Sequence, residues 1–415
     1  MMKTWIAGML ALACAGTLHA QPRVAQVDAV LNKMVDDGQL AGVATEIWKD
    51  GALVGRSAYG KRDLKSGAPM TDDTIVRAYS MTKPVTAVAM MILHEQGKWK
   101  PEDPVAKYLP ELANLKVYKG LDANGQPILA TPASQPTMAQ LMSHMAGFQY
   151  DMGRGGIDDL YRAADLWTAK DNRDFVARVA SLPLRYDPGT GWEYSIAMDL
   201  QGAIIERLSG MKLRDFMKRH IFDPLGMGDT DFYVPQEKFA RLATVYEWKD
   251  GKPAEVTSHL LGNDPTAMPG FASGGGGLYS TAGDYARFAR MLLGKGALDG
   301  KRVISEEAAA AIMSPKLPPE ILKGSYGIGL QQMRPGYEYG YNGVVVTDPQ
   351  AAKVALGHGS YLWDGLASTW FWVDPEHQIV FVGMVQRVAA EGGPPLQPAS
   401  QAAVKTAFFP DKLLP

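Results

Sequence analysis

Residues 84–96, PVTAVAMMILHEQ, constrain this chain more than any other segment. The run is apolar on nearly every side of a helix and is bounded by Gly97. A surface helix would keep one polar face, so this one must be enclosed by the rest of the molecule. The chain can supply that enclosure. At 415 residues it hides roughly three-quarters of its unfolded surface and needs no disulfide or metal to build a core.

The segments around that helix predict the architecture. Residues 24–38 place Val24, Val27, Leu31, Met34 and Val35 near one helical face. Two apolar, β-branched stretches then flank Lys49-Asp50-Gly51, a good hairpin turn. Between about 101 and 265 turns separate short helical candidates at 137–145, 171–181, 197–208 and 212–220, and 117–136 reads as an exposed loop or small hairpin. After four glycines, Gly274 to Gly277, Ser280-Thr281 cap a helix over 282–293. Strands are expected in 326–333, 351–359, 366–374 and 377–386, and a closing helix over about 399–409. The pattern predicts an α/β fold in which both chain ends feed one antiparallel sheet flanked by helices, with a helical second domain inserted. The expected divisions are 21–100 and 266–415 for the α/β part and 101–265 for the mainly helical insert.

Composition removes whole classes of function. With 46% hydrophobic and 21% charged residues and a net charge of −2, the chain is neither disordered nor a basic nucleic-acid binder. Residues 1–20 read as a signal peptide: Lys3, an apolar stretch from Ile6 to Gly16, and Leu18-His19-Ala20 before Gln21. Export to the periplasm or medium is the expectation, with a lipoprotein anchored at Cys14 as the alternative. No later apolar stretch approaches 18 residues, so no transmembrane segment is expected. Cys14 is the single cysteine, so a mature chain starting at Gln21 would have no thiol chemistry. Six scattered histidines (94, 144, 220, 259, 358 and 377) do not read as a metal cluster.

The sharpest local motif is Ser80-Met81-Thr82-Lys83 at the head of the buried helix. A serine and a lysine three apart share a helical face, so the amine can touch the hydroxyl. Serine is a poor nucleophile until a base takes its proton, and a desolvated lysine can contribute to that. S-x-x-K also arises by chance as a helix cap followed by a surface lysine, but a surface lysine does not fit in front of thirteen mostly apolar residues. No G-x-S-x-G, H-E-x-x-H, G-x-G-x-x-G or P-loop pattern competes.

Taken together, the motifs resemble the serine beta-lactamase and penicillin-binding-protein superfamily, in the class C-like branch that contains family VIII carboxylesterases. Ser80-Met81-Thr82-Lys83-Pro84 is similar to the nucleophile motif, and Leu141 to Phe148 (LMSHMAGF) to the family's LLxHTSGL segment. Asp187 to Ser195 (DPGTGWEYS) resembles the second motif and sets its tyrosine at Tyr194. Gly274 to Thr281 resembles a loop behind the site, and Thr369 to Pro375 the strand and turn after the third motif. The resemblance implies a two-step acyl transfer through an acyl-Ser80, with Tyr194 or Lys83 as base and the amides of Ser80 and Leu366 as oxyanion hole. No metal or organic cofactor is implied.

Two departures separate subfamilies. Where lactam-processing members carry Lys-Thr-Gly, the spacing lands on Trp363-Asp364-Gly365, resembling the esterase branch; a competing register uses His358-Gly359-Ser360. Tyr-x-Asn becomes Tyr194-Ser195-Ile196, and isoleucine has no amide to hold a lactam side chain. The substrate pocket is therefore expected at Trp363, Asp364, Gly365, His358, Ser195 and Ile196, and the substrate to be a small, short-chain carboxylic ester. The alternatives are a D-amino-acid peptidase or penicillin-binding hydrolase with weak beta-lactamase activity, and a non-catalytic protein on the same fold. His144 is expected to be structural.

Overall fold

The computed structural model describes residues 24–257, 264–323, 335–388 and 392–410, and the backbone of 327–328 and 331–332. The expected signal peptide, with Cys14, lies outside the described residues. The chain opens with α1 (Ala25–Asp36), which buries Val27, Leu31 and Met34, and continues into β1 (Gly42–Lys49) and β2 (Ala52–Gly60). Asp50 and Gly51 both take positive φ, 51° and 78°. That is the twist a two-residue hairpin loop requires.

The apolar run becomes α2 (Thr82–Glu95), buried continuously from Thr82 to Leu93. Short helices follow. One is α3 (Met138–Met142), opened by a capping box between Thr137 and Gln140; another, longer one is α4 (Ala197–Ser209), closed by Gly210 in the left-handed region. Residues 117–130 form a hairpin, as one reading of that segment had it. A second hairpin, over 246–255, was not expected. Thr281, and not Ser280, caps α5 (Ala282–Leu293), its hydroxyl accepting from the Asp284 amide.

The last third supplies β3 (Tyr337–Tyr339), β4 (Val344–Val346), β5 (Tyr361–Asp364), β6 (Trp370–Asp374), β7 (Ile379–Met384) and the closing α6 (Leu396–Phe408). The seven-stranded sheet has the order β3-β4-β5-β6-β7-β1-β2, every described pair antiparallel. Neighbouring residues of β6 show its two faces: Phe371 meets Tyr285 of α5, and the Trp370 indole donates to Ser400 of α6. Sheet and helices share one continuous core with α2.

Two strand expectations need correction. Residues 351–359 are not a strand: Asp348 caps a helical turn at Pro349–Ala352, accepting from the amides of Gln350 and Ala351, and the strand begins only at Tyr361. Local Asp-Pro capping outweighs an apolar pattern broken by Gly357 and Gly359. Of 326–333, only the pairing of 327–328 with 331–332 is described, and it stands apart from the main sheet.

Candidate active site

Ser80 sits in a single 3-10 turn, Tyr79–Met81, that leads directly into α2. Tyr79 holds a positive φ of 46°. That conformation costs a side-chain-bearing residue about 1–2 kcal/mol, and it presents Ser80, part-exposed, between buried neighbours. One helical turn on, Lys83 is fully buried and its Nζ donates to Ser80 Oγ at 3.1 Å and to the Gly275 carbonyl at 2.7 Å. Tyr194 approaches from 114 residues away and its hydroxyl donates to Ser80 Oγ at 2.7 Å. Lys83 Nζ also lies 4.5 Å from the Tyr194 ring centroid. The three residues singled out in sequence therefore converge on one oxygen.

Their surroundings set the protonation states. Desolvation drives the Lys83 amine down to about 7, with the charges of Asp199 and Asp364 opposing it. Burial pushes the Tyr194 phenol well above its ordinary value, opposed by the hydrogen bond to Ser80. Near neutral pH the lysine can thus exist as a free amine while the tyrosine keeps its proton.

The end of β5 abuts the same turn. A Cβ on Gly365 would lie 2.4 Å from the Ala78 carbonyl oxygen and 2.3 Å from Thr369 Oγ1, so glycine alone fits without displacing its neighbours. Thr369 Oγ1 also donates to the Ala78 carbonyl. Leu366 follows at the surface, 39% exposed. Among the described residues, neither the Ser80 amide nor the Leu366 amide has an acceptor, the condition for an oxyanion site.

Trp363 is buried beside Tyr194, ring centroids 5.5 Å apart, and against Tyr339 at 5.6 Å. Its indole N–H faces the Tyr194 hydroxyl but lies outside hydrogen-bond geometry, and has no other partner among the described residues. Asp364, next in the strand, points to the other face, where Gln397 of α6 donates to it at 2.7 Å. Desolvation pushes its carboxyl up to about 7, with the Gln397 hydrogen bond and Lys83 opposing.

Asp364 is thus an expected pocket residue turned away from the cleft by strand alternation, and three more lie elsewhere. His358 is exposed at the opposite end of β5, with Nδ1 on the Thr347 carbonyl and its amide donating to Glu376. The strand itself separates it from Ser80, which rules out the register through His358-Gly359-Ser360. Ser195 and Ile196 are buried because they form the entry to α4. Ser195 Oγ meets His144 Nδ1 at 2.8 Å and caps the Ala197 amide. Starting a helix there turns both side chains into the core, away from the cleft. His144 is structural as expected: burial pushes its pKa well below the usual range, and its ring backs Tyr194 at 5.0 Å.

Sequence reasoning missed Tyr150 and Asp199. Tyr150 packs against Tyr194 at 5.1 Å and stacks on Trp167. Asp199 is fully buried on α4, accepting from Ser273 Oγ at 2.5 Å and the Gly275 amide at 3.1 Å. A charged aspartate in the mostly apolar AMDLQGAII was the available signal. No three His, Cys, Asp or Glu side chains among the described residues could hold a metal ion, and no described helix is long and apolar enough to cross a membrane.

Comparison with known proteins bears on family and fold. A family model described as Beta-lactamase matches residues 27–404. An uncharacterized protein of Mycobacterium tuberculosis is 34% identical over 363 residues, 86% of this chain and 88% of the relative. Esterase EstB of Burkholderia gladioli is 30% identical over 381 residues, again 86% of this chain and 88% of the relative. Among solved structures, Simvastatin Synthase (LovD) from Aspergillus terreus shares the fold, with a TM-score of 0.80 at 20% identity over 94% of this chain and 100% of that one.

Proposed function

The chain belongs to the beta-lactamase family, and from that premise we propose that it is a serine carboxylesterase acting on small, short-chain esters. The observation that carries the reading is the double engagement of Ser80 Oγ by Lys83 Nζ and the Tyr194 hydroxyl. Neutral Lys83 takes the Ser80 proton as Oγ attacks the ester carbonyl. The amides of Ser80 and Leu366 hold the oxyanion. Collapse breaks the bond to the alcohol oxygen, which takes a proton from Tyr194, and Lys83 returns its proton to the tyrosine. Water then repeats the sequence on the acyl-Ser80, releasing the acid and restoring the free hydroxyl.

Ester preference rests on what surrounds the serine. Where lactam-processing relatives bring a cation to the third motif, this chain has buried Trp363; Tyr150 and Tyr194 add aromatic walls that suit a small apolar acyl group. The signal-like residues 1–20 support export; the N-terminal mass of the native protein tests it, Gln21 being the expected first residue.

The test of the activity compares wild type and Ser80→Ala on a 4-nitrophenyl short-chain ester, a chromogenic cephalosporin and a D-alanyl-D-alanine peptide. Ser80→Ala should remove several orders of magnitude of ester turnover, about 5–8 kcal/mol of transition-state stabilisation, and should abolish fluorophosphonate labelling. An adduct mapping to Ser143 or Ser360, or a wild type that prefers the cephalosporin more than about tenfold in kcat/KM, overturns the reading.

A further inference from the structure

Asp199 is a carboxylate in the wrong place for a helix core. It is fully enclosed, burial pushes its carboxyl above the ordinary value against the opposing Ser273 hydrogen bond and the Lys83 charge, and no ion pair engages it among the described residues. Its Oδ1 is doubly engaged, by Ser273 Oγ and the Gly275 amide, whereas Oδ2 has no partner among the described residues. Buried polar atoms are normally paired, because an orphan loses its hydration with nothing in return. A carboxylate kept under those conditions needs a reason.

Gly275 supplies it. The peptide whose N–H donates to Asp199 belongs to the residue whose carbonyl receives Lys83 Nζ at 2.7 Å. One glycine therefore joins the buried acid to the buried amine, with the amine on Ser80 Oγ at its other side. The glycine is required: a Cβ at 275 would stand 2.7 Å from Asp199 Oδ2 and 3.0 Å from the Tyr150 hydroxyl. The same Gly274–Gly275 peptide is held at its other end, the Gly274 carbonyl accepting from Thr86 Oγ1 of α2 at 2.7 Å. Asp199 thus holds one edge of a loop whose other edge is tied to the helix that carries Lys83.

We propose that Asp199 is a positioning residue for acylation of Ser80: through the Gly275 amide it anchors the residue whose carbonyl holds Lys83 Nζ on the nucleophile, and it supplies the buried negative charge that Lys83 answers. This rests on the esterase reading for its kinetic consequence but not for its electrostatics. The groups facing Lys83 from the elements packed around it are Asp199 on α4, the phenols of Tyr194 and Tyr150, and neutral His144, while Asp364 acts on it from the far face of β5. Of these, Asp199 is the largest favourable influence on the ammonium, Asp364 the next. Removing the Asp199 charge leaves desolvation less opposed, so Lys83 loses its proton at lower pH. The sign of the kinetic effect follows. If neutral Lys83 is the base, kcat/KM falls as pH drops through the Lys83 midpoint, and without the Asp199 charge that acid limb moves to lower pH.

The test uses the full chain with Asp199→Asn, Asp199→Ala and Ser273→Ala. Ester kcat/KM is followed from pH 5 to 9. The Lys83 midpoint is read separately by NMR of ε-13C-lysine protein, with the resonance assigned by Lys83→Ala. Asparagine keeps an oxygen for Ser273 and Gly275, so Asp199→Asn should shift both the midpoint and the acid limb down by about one unit, tenfold in proton affinity, with most of the plateau retained. Asp199→Ala should give the same shift and a further loss in plateau kcat, because the Gly275 anchor is gone. Ser273→Ala, which leaves the carboxylate in place but removes one hydrogen bond that keeps it ionised, should shift both readings the same way by less. A Lys83 midpoint unchanged in Asp199→Asn refutes the charge role. A plateau in Asp199→Ala equal to that of Asp199→Asn refutes the anchor. If Asp199→Asn does not fold, Asp199→Ala decides in its place, an unshifted Lys83 midpoint there refuting the charge role. A wild type that hydrolyses no ester overturns the esterase reading alone, since the NMR midpoints still decide the role of Asp199.

Discussion

Gly365→Ala isolates the geometry of the oxyanion site from every titrating group around it. Gly365 does not use the left-handed region, so alanine adds a methyl without backbone strain. The methyl would meet the Ala78 carbonyl oxygen at 2.4 Å and Thr369 Oγ1 at 2.3 Å. Reaching even 3.0 Å from the carbonyl requires a retreat of about 0.6 Å. Ala78 cannot yield easily, because its amide is tied to the Leu278 carbonyl and its own carbonyl receives the Thr369 hydroxyl. The end of β5 must move instead, and the Leu366 amide moves with it. Complete loss of an oxyanion donor costs about 100–1000-fold, so a displacement of this size should slow acylation roughly 10–100-fold, or about 1.4–2.7 kcal/mol. Overpacking should also lower stability by about 1–3 kcal/mol. The assay is the second-order rate of fluorophosphonate labelling of Ser80, with kcat and KM for a short-chain ester and a denaturant midpoint on the same samples. The loss should fall on kcat. Gly228→Ala, where nothing lies within 4 Å of the added methyl, should change nothing. Folded Gly365→Ala protein that labels within twofold of wild type would refute the oxyanion assignment to Leu366.

Tyr194→Phe should lower the single-turnover acylation rate about 100-fold or more, the usual scale of a positioned acid–base group. Lys83→Ala should be at least as damaging, and the double mutant little worse than the weaker single, because both groups serve one proton transfer. Additive losses in stopped-flow acylation would separate the two roles. Trp363→Ala removes a buried ring from the support of Tyr194 and Tyr339. It should cost about 3–5 kcal/mol in urea unfolding, whereas Trp363→Phe should cost much less; equal costs would mean that the site collapses around the gap.

What the sequence determined by itself was whatever a few consecutive residues can decide. Asp50-Gly51 accepts positive φ, so the first hairpin could be read directly. Thr281 lies three residues before the amide it caps, so the start of α5 was legible once its hydroxyl was considered. Ser80 and Lys83 are one helical turn apart, and the backbone period alone brings amine to hydroxyl. The enclosed character of α2 followed from its lack of a polar face. Tyr194 could be named only through its motif, since no local rule brings a residue 114 positions away within 2.7 Å of the serine. Tertiary structure decided the rest, because it chooses which face of each element meets which neighbour. Ser195 and Ile196 follow Tyr194 directly, yet the start of α4 turns them into the core. His358 and Trp363 belong to one short segment, yet β5 carries them to opposite ends of the strand. Asp199 was visible as a charge in an apolar helix, but its meaning depends on a glycine 76 residues later, whose amide reaches its carboxylate only after the loop folds back against α2 and α4. Short-range periodicity fixes elements and pairs within a turn; the meeting of distant side chains waits on packing, which no single segment encodes.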